Sequence, residues 1–276
     1  MILRNFKLDD LSKLVKHSSN ILNYDSIAPT SKEFNELISQ YSLNNIIDKA
    51  NYGIVLEEND DIVGVLLARI NDGSKNLISD KNLHLIDCSK IINEIESKKF
   101  TEKELALYRL EIKTIETYKK ILDDVSRVVG FSSELLFFSV LPSHQKRGLS
   151  KLLFNKFLKH LRSKQLHKFY LYTTSLCSYN YYEHIKMSCL RTDMITKSDS
   201  DVTLVQLLKD KLPIIGMIFH SDVKNFDIDT NAPIKDPVID EILVNNKEES
   251  NNVIVNTFKN VGVFFKNIMN MKNSKK

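Results

Sequence analysis

Cysteine is scarce. The 276 residues contain three, Cys88, Cys177 and Cys189, with no C-x-x-C pair. So sparse and odd a set excludes a disulfide framework and a zinc knuckle, and no metal site is expected. No apolar run approaches the ~20 residues needed to cross a bilayer. The opening MILRNFKLDD mixes charged with apolar residues and lacks the uninterrupted core of a signal peptide. Charge of one sign is not in excess: 39 Lys and Arg against 35 Asp and Glu leave a net charge of +4. That is too mild for a protein that coats nucleic acid, yet compatible with an acidic ligand. Neither the GxxxxGK[ST] phosphate loop nor the three-glycine dinucleotide fingerprint occurs, and there is no internal repeat. What is present is 42% hydrophobic and 27% charged, the balance of a chain that buries a core. The length lies between one large domain and two ordinary ones. These traits predict a soluble, cytoplasmic globular protein with no specific nucleic-acid partner.

Hydrophobic spacing then orders the chain. A short strand is expected around Ile2–Phe6, followed by a helix carrying Leu11, Leu14, Val15, Ile21 and Leu22 on one face behind Asp9 or Asp10. Thr30 and Glu33 form a capping-box pair that opens a second helix. The runs YGIVLEE and IVGVLLARI, separated by Asn59, Asp60 and Asp61, predict an antiparallel hairpin. Residues 72–130 read as a helical insertion, with a second capping box at Thr101 and Glu104. ELLFFSVLP, ended by Pro142, suits a buried central strand. It is followed by a helix over Leu149–Lys164, a strand in KFYLYTTSL, a short helix in SYNYYEHIKM, and a last strand in VTLVQLL from Val202. Beyond residue 210, Pro213, Pro233 and Pro237 predict irregular connections. An amphipathic helix is expected at about 252–271 from Ile254, Phe258, Val261, Phe265 and Ile268. The implied organisation is one domain over 1–210 and an extension over 211–276.

The chemistry-bearing stretch is LPSHQKRGLSKLL. Gln145, Gly148 and Ser150 form a Q-x-x-G-x-S turn running directly into the Leu149 helix. A helix start offers unbonded N–H groups and the positive end of its dipole, a natural seat for a phosphate. Lys146, Arg147 and Lys151 add positive charge, and Gly148 permits close backbone approach. Taken alone, a glycine at such a turn is also an ordinary tight corner.

The surroundings narrow the choice. Val140-Leu141-Pro142, then Gln145-x-x-Gly148-x-Ser150, then Tyr182-Glu183-His184-Ile185-Lys186-Met187, resemble the motifs of the GNAT N-acetyltransferase superfamily. Thr173–His184 also resembles a subgroup pattern of that family. The resemblance is close over Glu134–Met187. It implies an α/β (α+β) acyl-CoA N-acyltransferase fold, a mixed central sheet flanked by helices, with the helical insertion and the C-terminal helical extension added. It implies acetyl-CoA as acyl donor and a small-molecule or peptide amine as acceptor.

By the same resemblance the backbone of Phe138, Ser139 and Val140 pairs with the pantetheine arm. The N–H groups of Lys146, Arg147, Gly148, Leu149 and Ser150, with Gln145 and Lys151, hold the pyrophosphate. Tyr182 stands at the general-acid position, and Glu134 is the candidate base, directly or through water, with Glu57 and Glu58 as rivals. Apart from the resemblance, Tyr182 also reads as a core aromatic and Glu134 as a solvated strand end. Three residues depart from the pattern: Ser150 for Gly or Ala, Ser178 for an Asn that contacts the cofactor, and Lys186 for a Gly. Cys177 reads as a small buried thiol, and His144, His160, His167 and His184 as solvated or packing residues. The basic C-terminal helix is read as packing on its own domain, with a homodimer contact or a weak membrane-surface contact as alternatives. A catalytically weakened module that keeps the cofactor groove is the alternative function.

Overall fold

The computed structural model describes residues 1–21, 27–77, 88–98, 100–126, 129–196, 201–209 and 211–228. The expected helix at 252–271 lies outside these residues. Among them a seven-stranded sheet has the order β1-β2-β3-β4-β5-β7-β6. Its strands are β1 (Ile2–Asn5), β2 (Tyr52–Glu58), β3 (Asp61–Ile70), β4 (Ser133–Val140), β5 (Lys168–Thr174), β6 (Ser188–Thr196) and β7 (Ile214–Asp222). All neighbours are antiparallel except β4 and β5, so the sheet is mixed, as expected.

The helices are α1 (Leu11–Ile21), α2 (Lys32–Ile47), α3 (Cys88–Ser97), α4 (Glu102–Ser126), α5 (Leu149–Ser163), α6 (Asn180–His184) and α7 (Val202–Leu207). On one face Leu14 of α1 and Leu43 and Ile47 of α2 pack on Val55, Ile62, Val65 and Leu67. On the same side Ile121 and Val125 of α4 cover Tyr170 and Ile218. On the other face Phe154 and Phe157 of α5 meet Phe169 edge-on, at 5.9 and 5.6 Å between ring centres. Side chains alternate along a strand, so neighbours such as Phe169 and Tyr170 feed opposite layers. The insertion between β3 and β4 supplies α3 and α4, which bury Ile91, Ile95 and Leu107 against Phe34 and Ile38 of α2.

Three local expectations differ from the structure. VTLVQLL is helix α7 and not a strand: Asp201 accepts from the N–H groups of Thr203 and Leu204, and this N-cap outweighs the β-branched composition. α2 is capped by Ser31, which accepts from Phe34 N at 3.2 Å, while Thr30 donates to Asn35. The sheet also runs past residue 210, because β7 lies between β5 and β6 within the stretch read as irregular. The Thr101–Glu104 capping box is present as expected: Thr101 N donates to Glu104 Oε2 at 2.9 Å, and Glu104 N to Thr101 Oγ1 at 3.3 Å.

Candidate active site

β4 and β5 are hydrogen-bonded neighbours over only Ser133–Phe169, Glu134–Tyr170 and Leu135–Leu171. β4 nevertheless continues to Val140 along β3, and β5 to Thr174 along β7. The two parallel strands therefore separate after Leu135, leaving the β5-facing edge of residues 136–140 without a strand partner among the described residues. The separation coincides with a bulge in β4, where the register against β3 slips between Leu67 and Ala68. Leu136 and Phe137, consecutive in sequence, both pack on the α1 side. Phe138 turns to the α5 side, with its ring 6.1 Å from Phe154 and 5.9 Å from Tyr181. A bulge re-aims side chains and ends pairing, and this one does both.

Ser139 points back to α1. His17, 2% exposed, lies with Nδ1 2.9 Å from the Ile62 carbonyl and Nε2 2.8 Å from Ser139 Oγ. Donation of Nδ1–H to the carbonyl leaves Nε2 to accept from the serine hydroxyl, and burial lowers the imidazole pKa, which keeps the ring neutral. The Ser139 side chain is thus engaged, leaving its backbone for the strand edge.

The loop after β4 lies as the sequence indicates. A turn of 3-10 helix over Pro142–His144 leads to Lys146 at φ +63° and Gly148 at φ +74°, and α5 starts at Leu149. No side chain among the described residues caps this helix. Among the described residues the N–H groups of Lys146, Arg147, Gly148, Leu149 and Ser150 have no protein acceptor. A Cβ at Gly148 would meet nothing within 4 Å, so the space over these amides is open. Lys146 and Lys151 are exposed and Arg147 half-buried, whereas the Leu149 side chain is buried and leaves only its backbone. The Gln145 amide folds back to the Val140 carbonyl at 3.4 Å. Uncapped amides, open space and three cations fit a diphosphate.

Tyr182 is on the α5 side in α6. Its ring lies 5.8 Å from Phe219 and 5.6 Å from Tyr181, whose own ring abuts Phe138. Its phenol pKa is raised, by burial first and by the nearby Cys177 second, so the hydroxyl is a protonated donor at neutral pH. Ser178 is exposed in the turn before α6. Cys177 is exposed too, which corrects the expectation of a buried thiol; the tight turn after β5 turns it outward, its sulfur 3.6 Å from Thr174 Oγ1.

Glu134 is on the opposite, α4 side at the root of the gap. It is 3% exposed and not solvated as the bare sequence suggests. Tyr118 of α4 donates to its Oε1, and Arg69 of β3 approaches its Oε2 at 2.8 Å. The rival carboxylates have other duties. Glu57 pairs with Arg4 at 2.5 Å and Lys13 at 3.2 Å, and Glu58 with His144 at 2.7 Å. His160 stacks on Tyr52 at 4.3 Å. Tyr182 and Glu134 thus flank the gap from opposite faces of the sheet. Sequence reasoning missed His17, Arg69 and Tyr118. Only Tyr118 left a trace, as a hydroxylated aromatic within the apolar stripe of α4.

Residues 120–185 match the sequence profile of the Acetyltransferase (GNAT) family. The matched residues run from the C-terminal part of α4 through α6. Solved structures similar to the chain include PaiA N-acetyltransferase from Thermoplasma acidophilum in complex with coenzyme A. It has 11% identity and a TM-score of 0.42, covering 80% of this chain and 97% of that one. An aminoglycoside 6'-N-acetyltransferase complexed with coenzyme A has 10% identity and a TM-score of 0.41, covering 81% and 97%. A GNAT family acetyltransferase from Brucella melitensis in complex with acetyl-CoA has 14% identity and a TM-score of 0.33, covering 67% and 81%. No curated protein sequence matches the chain. No helix among the described residues is long and apolar enough to cross a membrane.

Proposed function

We propose that the protein is an N-acetyltransferase that moves the acetyl group of acetyl-CoA to a primary amine by direct attack in a ternary complex. The observation that carries this reading is the gap between β4 and β5, edged by free backbone and floored by the uncapped start of α5. The unpartnered backbone of Phe138, Ser139 and Val140 accepts the pantetheine arm as an added strand. The amides of Lys146 to Ser150, with Gln145, Lys146, Arg147 and Lys151 around them, hold the pyrophosphate, and Ser178 lies beside the cofactor.

The two faces then divide the proton work. An amine arriving from the α4 side meets Glu134, which accepts its proton directly or through one water. The amine nitrogen forms a bond to the thioester carbon, and the carbon–sulfur bond breaks. The thiolate leaves on the α5 side, where Tyr182 donates its proton. The domain responsible is proposed as the sheet and its helices from residue 1 to at least Asp222. The acceptor is a small-molecule or peptide amine. A cytoplasmic location agrees with the exposed, unbridged Cys177 and Cys189.

One observation favours the second reading, a catalytically weakened CoA-binding module: Arg69 already engages the candidate base. Thermal melting with acetyl-CoA, followed by thiol release with a panel of amines, separates the two. Acetyl-CoA is expected to raise Tm, Gly148→Glu to abolish that rise, and Tyr182→Phe to lower kcat at least tenfold with little change in KM for acetyl-CoA. No rise in Tm at millimolar acetyl-CoA overturns both readings. A rise without turnover of any amine leaves the binding module alone.

A further inference from the structure

Helix α4, the long element of the insertion, reaches the central strand where the gap begins. Its Tyr118 hydroxyl donates to Glu134 Oε1. Arg69 Nη2 stands 2.8 Å from Oε2 and donates to the Tyr170 hydroxyl at 3.2 Å. Lys49, following α2, places its Nζ 5.1 Å from the centre of the Tyr118 ring. The two carboxylate oxygens are not equivalent. The Arg69 contact with Oε2 is an ion pair without hydrogen-bond geometry, and Oε2 is a buried oxygen with no hydrogen-bond partner among the described residues. Tyr118 thus holds Oε1 by a hydrogen bond while Arg69 holds Oε2 by charge alone, which leaves the hydrogen-bonding capacity of Oε2 for an incoming donor. Burial, and then the Glu134 charge, raise the Tyr118 phenol pKa, so it stays a donor throughout the neutral range.

We infer that Tyr118 is a positioning residue for acyl transfer: by occupying Oε1 from the inserted helix, it presents Oε2 of Glu134 as the oxygen that takes the proton of the attacking amine. This rests on the acetyltransfer reading. In the step, an N–H bond of the amine breaks and an O–H bond forms at Oε2, directly or across one water. The electron pair left on nitrogen makes the new C–N bond as the C–S bond opens, and the sulfur takes the Tyr182 proton. The insertion is therefore part of the acceptor-side machinery as well as a cover for the sheet.

The test is a double-mutant cycle on the full chain, following thiol release from acetyl-CoA with tyramine, spermidine, L-lysine and kanamycin. Glu134→Gln is expected to lose about 100-fold in kcat, the lower range for a general base. Tyr118→Phe is expected to lose roughly tenfold, with KM for acetyl-CoA unchanged within about twofold. Phe keeps the ring that packs 5.1 Å from Tyr172, so the variant retains the fold. In the Glu134→Gln background, Tyr118→Phe should cost nothing further, because the oxygen it orients is no longer a base. Multiplying losses, or a Tyr118→Phe protein as fast as wild type, overturn this inference alone. If wild type releases no thiol with any of the four amines, the acetyltransfer reading falls and this inference with it.

Discussion

Lys186 occupies a backbone conformation that favours glycine. Its φ is +62°, and it follows α6 at the point where Lys186 N bonds to Glu183 O and Met187 N to Tyr182 O, both at 2.9 Å. That pair of bonds is a Schellman ending, whose left-handed residue pays a Cβ penalty unless it is glycine. Lys186→Gly is therefore expected to stabilise the protein by roughly 0.5–1 kcal/mol in urea unfolding, the strain relieved less the added freedom of the unfolded chain. This departure from the family pattern was legible in the sequence, since the residues that build the turn are all within five positions. His17 was not legible. Its partners, Ile62 and Ser139, lie 45 and 122 residues away, and nothing near His17 announces them.

Two helix starts share one carboxylate. Glu104 Oε2 accepts from Thr101 N, while Oε1 accepts from Ser31 N and Ser31 Oγ, each at 2.8 Å, so α4 and α2 are tied at their N-termini. Burial would raise the Glu104 pKa, but the backbone and hydroxyl donors of Ser31 and Thr101 outweigh it and the net direction is down. Glu104→Gln turns an amide donor toward donors at one of these caps and is expected to cost about 2 kcal/mol in chemical denaturation. The Thr101 half of this device could be read from spacing alone, whereas the Ser31 half, 73 residues away, could not. The same contrast explains the larger elements. β4, α5 and α6 follow one another within a single motif and were read correctly. β7 pairs with β5 on one side and β6 on the other, across the chain, and a proline just before β7 masked the strand signal.

For the whole molecule these buried groups contribute to the response to acid, alongside His160, whose pKa burial also lowers, and the ion-paired carboxylates. Burial depresses the His17 pKa, only partly offset by the Ile62 bond, so the unfolded chain binds its proton first as pH falls below the ordinary value of 6.5. Stability conferred by the neutral ring is present above that value and is lost as pH falls toward the folded pKa. Glu104 acts lower down: its contribution is full above the ordinary 4.5 and is lost as pH falls through its depressed folded value. Tm is therefore expected to fall in two stages between pH 7 and pH 3. His17→Gln, which does not titrate, should flatten the first stage and leave the second; an unaltered first stage would assign it to other groups.

The bulge in β4 makes chain length, more than side-chain identity, the guarded quantity in that strand. With Leu136 and Phe137 on one side, the odd and even residues trade layers partway along the strand. Leu136→Ala removes some apolar contact and preserves that phase shift, so acetyl-CoA should still raise Tm. Removing Leu136 outright would restore plain alternation only by rotating either half of the strand. Phe138 and Ser139 would exchange neighbours, or Glu134 would turn away from Tyr118. Such a one-residue contraction is expected to abolish the acetyl-CoA-induced rise in Tm, however conservative the rest of the strand.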